Sequence, residues 1–435
     1  MKHTFILILL VLTTALSFAQ QPLKHCGHDL LLDQMEQQSP GYRDAVRQTF
    51  ETVKNTAGVA SRNGDLLEVQ VVVHIVWKNA PENLPDSVIE DQIRVLNEDF
   101  NDLNADQINI RPVFDSVRGN VMIHFNLYEV RRVYTNETFS IGLTGLPDGK
   151  LKSTANGGSD AVDPEHFINI WVCNLGSIGL LGYAFPPNNL PNWPEEQGAN
   201  PVGHDGLVID YRAFGSNNPN PLNLQGMSLE VKGRTPVHEM GHYLGLRHIW
   251  GDNPNPLSAL LGLPNDCQQS DGIDDTPFAS KQSESDCSHT QDGCTGAETY
   301  YGVNVPDMVE NHMDYSSESC QVMFTRGQAA LMRGVLEGPR AGLLAPVTST
   351  VAPVAGDLSF SLSPNPSNGV FALDFGKNAP ESAQINVYAP FGTLLFSQKM
   401  TTARPYVDLS AFPAGMYQVE VRTERGNCIR KAVVR

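Results

Sequence analysis

The 435-residue sequence lacks an apolar run long enough to cross a membrane. Its strongest candidate, residues 5–12 in MKHTFILILLVLTTALSFAQQ, is far shorter than the roughly 18 apolar residues that a transmembrane helix needs. The basic start of this stretch and the small residues Ser17 and Ala19 after it are instead typical of a secretory signal peptide. We therefore predict that residues 1–19 are a signal peptide and that the mature protein is soluble and exported.

Positive charge is also scarce. The chain has 30 Lys and Arg residues against 48 Asp and Glu, a net charge of -18. This balance argues against nucleic acid as a partner, because phosphate binding needs a basic face. The last part of the chain differs, since from residue 358 onward eight Lys and Arg accompany only five Asp and Glu. The change in composition predicts a separate C-terminal module.

Cysteine is scarce as well, with seven residues in the chain. Four of them lie between residues 267 and 320, a density typical of a loop region held by disulfides in an exported protein. Their spacing alone leaves all three pairings of four cysteines open. Cys173 lies inside an apolar run and is expected to be a small buried side chain.

Apolar periodicity predicts an α+β domain followed by a small all-β domain. The polar N-terminal region contains one predicted helix, 42–55. Between residues 253 and 319 the chain lacks periodicity, so disulfides or ions must order it. Histidines inside predicted strands, His74 and His124, are expected to be core residues. The predicted strands of the first domain are 67–78, 121–130, 167–175 and 205–214, and its helices are 86–103 and 325–338.

The segment HEMGHYLGLRH places three histidines at the spacing of a zinc site. On a helix, His238 and His242 lie one turn apart on the same face, so that one metal ion can contact both imidazoles. A chain reversal after them would bring in His248 as a third ligand. Three neutral nitrogens leave the fourth tetrahedral position for water, which is the arrangement of a catalytic rather than a structural zinc site.

The residues around these ligands support this interpretation. Thr235 before Pro236 predicts the start of the helix, and Gly245 predicts its end, because glycine accepts a left-handed backbone there. Glu239, next to the first ligand, can take a proton from a zinc-bound water and return it to a leaving amine. The chemistry indicated is the hydrolysis of a peptide bond.

The pattern HExxHxxGxxH followed by a methionine turn resembles the metzincin metallopeptidases. The segment NHMDYSSESC, DDTP at 274–277 and the four-cysteine region are together similar to the pappalysin family, including its bacterial cytophagalysin (ulilysin-like) branch, over residues 65 to 342. The resemblance implies a twisted mixed sheet with an active-site helix, an irregular C-terminal subdomain and one catalytic zinc ion. It places Met313 beneath the zinc ion as an apolar floor, and Tyr315 where its side chain can reach the metal or the tetrahedral intermediate. It also implies the disulfides Cys267–Cys294 and Cys287–Cys320.

The segment CQQSDGIDDTP crowds acidic side chains into one loop. Hard oxygen donors so closely spaced suit calcium, and the pappalysin resemblance implies a calcium site in the corresponding loop. Asp271 and Thr276 are the predicted ligands of this structural calcium. A solvated acidic loop is the alternative, and the insertion-like NPNPLSALLGLP before the loop leaves its geometry open.

Cys26, in KHCGHD, precedes the predicted catalytic domain by some forty residues. A thiolate is a soft zinc ligand, so this cysteine at the fourth zinc position would keep the enzyme latent until the pro-segment is cleaved. Members of the pappalysin family have a similar Cys-Gly element. Cleavage is expected near Ser61 and Arg62. The alternative for Cys26 is an unpaired or intermolecularly bonded thiol.

The C-terminal module contains LSPNPSNG, LSAFPAGMYQVEV and a basic final strand. In this order they resemble the sorting domain of the type IX secretion system. The resemblance implies recognition by the secretion machinery and export across an outer membrane to the medium or the cell surface. A sandwich that binds carbohydrate or protein is the alternative.

Together these observations predict a secreted, monomeric zinc endopeptidase that is made as a latent precursor and acts on proteins or peptides. Two alternatives remain. One is a non-catalytic adhesin with a structural zinc site, which does not need Glu239. The other is a gluzincin-type exopeptidase with Glu284 or Glu298 as third ligand in place of His248. The predicted segments are a signal peptide (1–19), a pro-segment (20–61), a catalytic domain (62–342), a linker (343–357) and a β-sandwich sorting domain (358–435).

Overall fold

The computed structural model divides the chain into two compact units, residues 1–345 and residues 346–435. No helix among the described residues has the length and apolar content that a membrane span requires. The structure describes residues 26–60, 66–139, 146–176, 180–188, 200–201, 203–224, 227–251, 267, 269–283, 287–296, 298–345, 360–376, 380, 382–388, 394–400, 405–413, 415–423 and 426–435.

The first unit has an α+β fold. Its α-helices are α1 (His28–Gln38), α2 (Tyr42–Ala60), α3 (Asp86–Asp99), α4 (Pro112–Asp115), α5 (Asp148–Leu151), α6 (Arg234–Tyr243) and α7 (Arg326–Glu337). Short 3-10 helices lie at Ala80–Glu82, Ala105–Asn109, Thr154–Asn156, Tyr211–Ala213 and Ala341–Leu344. Its strands are β1 (Leu67–Trp77), β2 (Arg118–Gly119), β3 (Ile123–Tyr134), β4 (Phe167–Cys173), β5 (Gly182–Ala184), β6 (Leu207–Asp210), β7 (Leu222–Leu224), β8 (Met227–Leu229) and β9 (Phe324–Thr325).

A five-stranded mixed sheet in the order β3-β1-β4-β6-β5 forms the centre of this unit. Strands β3, β1, β4 and β6 are parallel, and β5 runs antiparallel to β6 at the edge. Every residue of β4 is buried, because the sheet has a core on each face. Ile170 and Val172 pack with residues of α3 and α6, whereas Trp171 and Cys173 point to the other face and pack with α1. The predicted mixed sheet is confirmed.

The N-terminal region contains more structure than the sequence predicts. Helix α2 includes the predicted helix at 42–55, and α1 is an additional helix that the short apolar group around Leu31 did not indicate. Both helices pack against the rest of the first unit, because Leu31 and Tyr42 are fully buried in the core on the α1 side of the sheet.

The described residues from 267 to 323 form turns and loops between α6 and α7, as expected from their composition. Two disulfides, Cys267–Cys294 and Cys287–Cys320, cross this region. Closing such loops reduces the conformational freedom of the unfolded chain, which stabilises a region with little regular structure.

The second unit consists of two antiparallel sheets, one with the order β10-β11-β14 and one with the order β13-β12-β15-β16. Alternate side chains of both sheets, among them Phe371, Val387 and Val419, form one apolar core, as expected for a small β-sandwich. The strands are β10 (Ser361–Ser363), β11 (Val370–Asp374), β12 (Gln384–Tyr388), β13 (Leu394–Lys399), β14 (Tyr406–Asp408), β15 (Gly415–Thr423) and β16 (Gly426–Val434).

Candidate metal centre

Helix α6 carries two of the predicted ligands, but it begins differently from the prediction. Its cap is Gly233 in a left-handed conformation (φ 76°), and Thr235 is the second residue of the helix rather than its cap. The first-turn N–H groups of Arg234 and Thr235 donate instead to the carboxylate of Glu318, at 3.1 and 2.8 Å. Glu318 lies shortly after Met313, so this carboxylate ties the start of the helix to the methionine turn.

The helix ends where the sequence predicts. It stops at Tyr243, and the left-handed backbone of Gly245 (φ 91°) reverses the chain. A hydrogen bond from Leu246 N to Gly241 O, 2.9 Å long, closes this turn. The reversal brings His248 back to the two histidines of the helix.

The three histidines converge through one ring nitrogen each. Nε2 of His242 lies 3.1 Å from Nε2 of His238 and 3.1 Å from Nε2 of His248. All three residues are buried, and burial lowers the pKa of His242 and of His248, which favours their neutral forms. Zn–N bonds of about 2.0–2.1 Å in a tetrahedron place the ligand nitrogens about 3.3 Å apart, so this spacing fits a zinc ion.

Backbone carbonyls orient two of the rings. Nδ1 of His238 lies 2.7 Å from the carbonyl oxygen of His312, and Nδ1 of His242 lies 2.9 Å from that of Leu246. A carbonyl oxygen only accepts hydrogen bonds, so each Nδ1 carries the hydrogen and each Nε2 presents its lone pair to the centre. Hydrogen bonding of the outer ring nitrogen in this way is usual for histidines that bind a metal.

Cys26 completes the group. Its Sγ and one nitrogen of each histidine all lie within 4.8 Å of one another, and all four residues are buried. The edge strand holds the thiol there, because Cys26 forms a parallel bridge with Gly182 and Gly27 N donates to Gly182 O at 2.8 Å. Burial raises the pKa of the thiol, so a cation beside it is needed to favour the thiolate.

Glu239 is fully buried beside these ligands. Neither carboxylate oxygen makes a hydrogen bond of good geometry with any described residue, and burial raises the pKa of the carboxyl to about 8, while the nearby Cys26 thiol lowers it. A buried carboxylate without donors is costly unless water or a cation is near it, which again fits a metal and its water. Strand β5 runs so close that a Cβ on Gly182 would lie 2.9 Å from Glu239 Cγ, which requires glycine at that position.

The methionine turn lies against the same helix. Met313 is fully buried, and its Sδ lies so close to Gly241 that any Cβ there would collide with it. The ring of Tyr315 contacts the rings of His238 and His248, with centroids 5.6 and 5.0 Å apart. Burial raises the pKa of the Tyr315 phenol, so it stays protonated. The structure thus brings together the residues that the sequence predicts for the zinc centre.

Two aromatic contacts at this centre were not predicted. His28 stacks on His242 with ring centroids 4.1 Å apart, and Trp250 stacks on His248 at 4.5 Å. His28 lies two residues after Cys26, and Trp250 lies two residues after His248. This closeness to a predicted ligand is the only feature of the sequence that could have indicated either contact. These stacking contacts restrict the rotation of the His242 and His248 rings.

The acidic loop is compact and partly buried. Asp271 Oδ1 accepts hydrogen bonds from Thr276 Oγ1 at 2.6 Å and from Ile273 N at 2.9 Å. Asp271 Oδ2 and Asp275 Oδ1 are buried without a hydrogen-bond partner among the described residues. Burial raises the pKa of Asp271 to about 7. Buried carboxylate oxygens without donors fit a cation, whereas the hydroxyl of Thr276, the other predicted calcium ligand, donates to Asp271 within the loop.

The alternative third ligands can be located only in part. Glu298 is not in the histidine group, and its Oε1 accepts a hydrogen bond from Phe278 N at 3.3 Å. Glu284 lies outside the described residues, as do the predicted signal peptide and the predicted cleavage position at 61–62.

Comparison with protein families gives two matches. Residues 158–337, which include the histidine segment and the methionine turn, match the family described as Pregnancy-associated plasma protein-A. Residues 361–435 match the family described as Secretion system C-terminal sorting domain.

Similar curated proteins are named extracellular metalloproteases. The chain is 29% identical over 281 residues to Extracellular metalloprotease 1 of Coccidioides posadasii, which covers 63% of this chain and 79% of that protein. It is 26% identical over 276 residues to the Extracellular metalloprotease of Arthroderma otae, which covers 63% of this chain and 80% of that protein.

Two similar solved structures come from Tannerella forsythia. Mature mirolysin in complex with a cleaved peptide is 33% identical, with a TM-score of 0.53, and the match covers 65% of this chain and 96% of that chain. A promirolysin mutant is 31% identical, with a TM-score of 0.58, and the match covers 74% of this chain and 97% of that chain. The precursor form therefore matches a larger part of this chain than the mature form does.

Proposed function

Since the chain belongs to the pappalysin family of metzincin metallopeptidases and ends in a type IX secretion sorting domain, we propose that it is a zinc endopeptidase made as a latent precursor. The observation that supports this most directly is the convergence of three Nε2 atoms, with the Cys26 thiol and the Glu239 carboxylate beside them. Imidazole and thiolate ligands in a tetrahedral arrangement favour zinc.

A zinc ion bound by His238, His242 and His248 would polarise the scissile carbonyl and lower the pKa of the attacking water toward about 7. Glu239 accepts the proton of that water as the oxygen attacks, and then gives the proton to the leaving amine. In the precursor the carboxylate is fully buried, and removal of the pro-segment would open it to the attacking water. Tyr315 donates a hydrogen bond from its protonated phenol to the oxygen that becomes negative.

Cys26 maintains latency in this proposal. Its thiolate would hold the metal together with the three histidines and would exclude the attacking water from the position next to Glu239. The bridge from Cys26 to Gly182 also covers the edge strand beside the centre. Activation then requires removal of the pro-segment, by cleavage near residues 61–62. The larger match to promirolysin than to mature mirolysin supports a folded pro-segment in this chain.

The substrates are proteins or peptides, and the sorting domain addresses the chain to the secretion machinery and the outside of the cell. We propose that the enzyme acts as a monomer. The precursor would consist of the signal peptide, pro-segment, catalytic domain, linker and sorting domain with the boundaries predicted from the sequence. We also propose that Asp271 and Thr276 bind structural calcium, supported by the buried oxygens of Asp271 and Asp275 that have no hydrogen-bond partner among the described residues.

Glu239→Ala tests the mechanism. The variant should keep about one zinc per chain, because Glu239 is not a ligand, but lose at least about 10³-fold in kcat, since its general base is gone. Turnover is measured on an internally quenched peptide blocked at both ends, and zinc by atomic absorption. A Glu239→Ala enzyme that still cleaves the peptide contradicts the mechanism.

The blocked peptide also tests the type of peptidase. An endopeptidase cleaves it, whereas an exopeptidase cleaves only the version with free ends. Latency is tested separately with the Cys26→Ser precursor, which should be active before processing. If that precursor is as inactive as the wild-type precursor, Cys26 does not maintain latency.

A further inference from the structure

We propose that α1 and α2 form a docking element that holds the pro-segment on the rest of the first unit (residues 66–345, the catalytic unit) independently of the metal centre. A cut between α2 and β1 would therefore leave the fragment bound as an inhibitor of its own enzyme. The inference rests on the proposed function, in which these two helices belong to the pro-segment. Its evidence is a set of apolar and polar contacts in which none of the metal ligands takes part.

Apolar side chains of the docking element pack into both cores of the catalytic unit. Tyr42 is fully buried in the core that contains Trp171 and Tyr183, on one face of the sheet. Phe50 and Val53 of α2 belong to the core on the other face. Release of the two helices would expose large apolar side chains of the catalytic unit to water, which opposes release. The buried apolar residues of the docking element, among those whose side chains the structure describes, are Leu31, Leu32, Met35, Tyr42, Ala45, Phe50 and Val53.

The first polar anchor is Tyr42. Its hydroxyl donates to Asn200 Oδ1 at 2.6 Å, and Asn200 Nδ2 donates to Asp205 at 3.1 Å. Asp205 forms a buried ion pair with Arg340 at 2.5 Å, and the guanidinium of Arg340 lies 3.5 Å from the centroid of the Tyr243 ring at the end of α6. Tyr42 therefore binds to a network that is fixed within the catalytic unit.

The second polar anchor lies near the other end of α2. Lys54 Nζ donates to the carbonyl oxygen of Gly272 at 2.6 Å. Phe50 packs against the same glycine, and the guanidinium of Arg247 lies 3.9 Å from the centroid of the Phe50 ring. On α1, Gln34 Oε1 accepts a hydrogen bond from Leu146 N at 2.8 Å. The docking element is thus held at several places along its length, and each belongs to a different part of the catalytic unit.

These contacts change the expected course of activation. Before the cut, the chain between α2 and β1 keeps the docking element at a high effective concentration. After the cut, the contacts remain, and they keep Cys26 beside the histidines. Full activity then requires that the fragment be degraded or diluted away.

The test measures whether the cut N-terminal fragment stays bound to the enzyme, not peptidase activity. In the full-length Glu239→Ala precursor, residues 61–65 are replaced by the recognition sequence of another site-specific protease. The chain is cut, and gel filtration measures how much fragment stays with the enzyme. The same is done with Cys26→Ala added, and after removal of zinc by a zinc-selective chelator in a buffer that contains calcium, because Gly272 lies in the loop proposed to bind calcium. We expect the fragment to co-elute in all three cases.

Variants on α2 locate the binding energy. Tyr42→Ala combined with Lys54→Ala should weaken retention of the cut fragment at least tenfold. Tyr42→Phe, which removes only the hydroxyl, should have a smaller effect and guards against misfolding of the double variant. Glu51→Ala is the matched control, because Glu51 is exposed on the same helix, and it should not change retention.

Loss of the fragment from the cut Cys26→Ala protein, or on removal of zinc alone, would overturn the inference. So would equal retention by the double variant and the Glu51→Ala control. These outcomes differ from failure of the proposed function, which would appear as no peptidase activity in a Glu239-containing enzyme from which the fragment has been removed.

Discussion

Buried histidines in two places of the catalytic unit differ in what their ring nitrogens contact. One place is His74, and the other is the candidate metal centre with His238, His242 and His248. His74, in β1, uses both nitrogens within the protein: Nδ1 lies 2.8 Å from Ser159 Oγ and Nε2 lies 2.9 Å from Asn169 Oδ1. Its ring stacks on Trp171 with centroids 4.9 Å apart. In the candidate metal centre, Nε2 of His242 instead faces the Nε2 atoms of two other histidines at 3.1 Å.

Burial does not distinguish the two groups. It lowers the pKa of His74 to about 4, and it lowers the pKa of His242 as well. The difference is that both ring nitrogens of His74 contact side chains, whereas the Nε2 lone pairs of His238, His242 and His248 point at a common position. Convergence of lone pairs, rather than the presence of buried histidine, therefore indicates a metal site.

The largest effect is expected from breaking the convergent group. In the processed enzyme, from which Cys26 has been removed, His248→Ala should lose the bound metal and at least about 10³-fold in kcat/KM, because two nitrogens hold zinc poorly. His74→Gln is the matched control from the other group and should keep both metal and activity. Metal content by atomic absorption and turnover of a quenched peptide check this. Full metal content in His248→Ala would favour a different third ligand, such as Glu284 or Glu298.

The second prediction concerns how His74 makes the stability of the protein depend on pH. The folded-state pKa of His74 lies near 4, below its usual 6.5, so the folded state prefers the neutral ring. His74 therefore contributes stability that is present above about pH 6.5 and is lost as the pH falls toward 4, by about 3 kcal/mol. Denaturant unfolding at pH 7 and pH 4.5 should show a larger loss in the wild type than in His74→Gln. Equal losses in both proteins would contradict this role of His74.

Tyr315 and Trp171 contact the two groups in different ways, and only Tyr315 is proposed to take part in the reaction. Tyr315→Phe keeps the ring beside His238 but removes the hydroxyl, so kcat should fall about tenfold to a hundredfold with KM nearly unchanged. Metal content should stay the same. Tyr134→Phe serves as a control, since Tyr134 is 59% exposed. An unchanged kcat in Tyr315→Phe would exclude a role for the hydroxyl.

The smallest effect concerns the partner of His74. Ser159→Ala leaves Nδ1 of His74 without its hydrogen bond, which should lower the free energy of unfolding by about 1 kcal/mol. The Michaelis parameters should not change, because this network does not contact the metal centre. Thermal unfolding and kinetics on the same samples test both statements, and a fall in kcat would show that the two histidine groups are coupled.

Much of the fold follows from local patterns that the sequence carries. The apolar run beginning at Leu67 gives β1, and the spacing after Thr325 gives α7, whose first turn is capped by that threonine. The start of α6 was predicted wrongly at Thr235, because the first turn is capped by Glu318, more than eighty residues later in the chain. No local pattern contains such a partner.

The metal centre divides in the same way. The spacing of the histidine segment and Gly245 suffices to predict a shared face and a chain reversal, since both depend on the geometry of one helix. The stacking of His28 and Trp250 on the ligands could not be predicted, because ring contacts depend on how separate elements pack.

The sequence by itself determined the family, the two-part organisation and the ligand types, because these depend on spacing along the chain and on the chemistry of single side chains. Only the tertiary structure decided that Cys26 lies within 4.8 Å of the three histidines. It also decided that α1 and α2 complete the cores on both faces of the sheet. The physical reason is that these positions are set by packing between residues far apart in the chain. Burial of apolar surface stabilises that packing, but it leaves no pattern in the sequence that shows which two segments will meet.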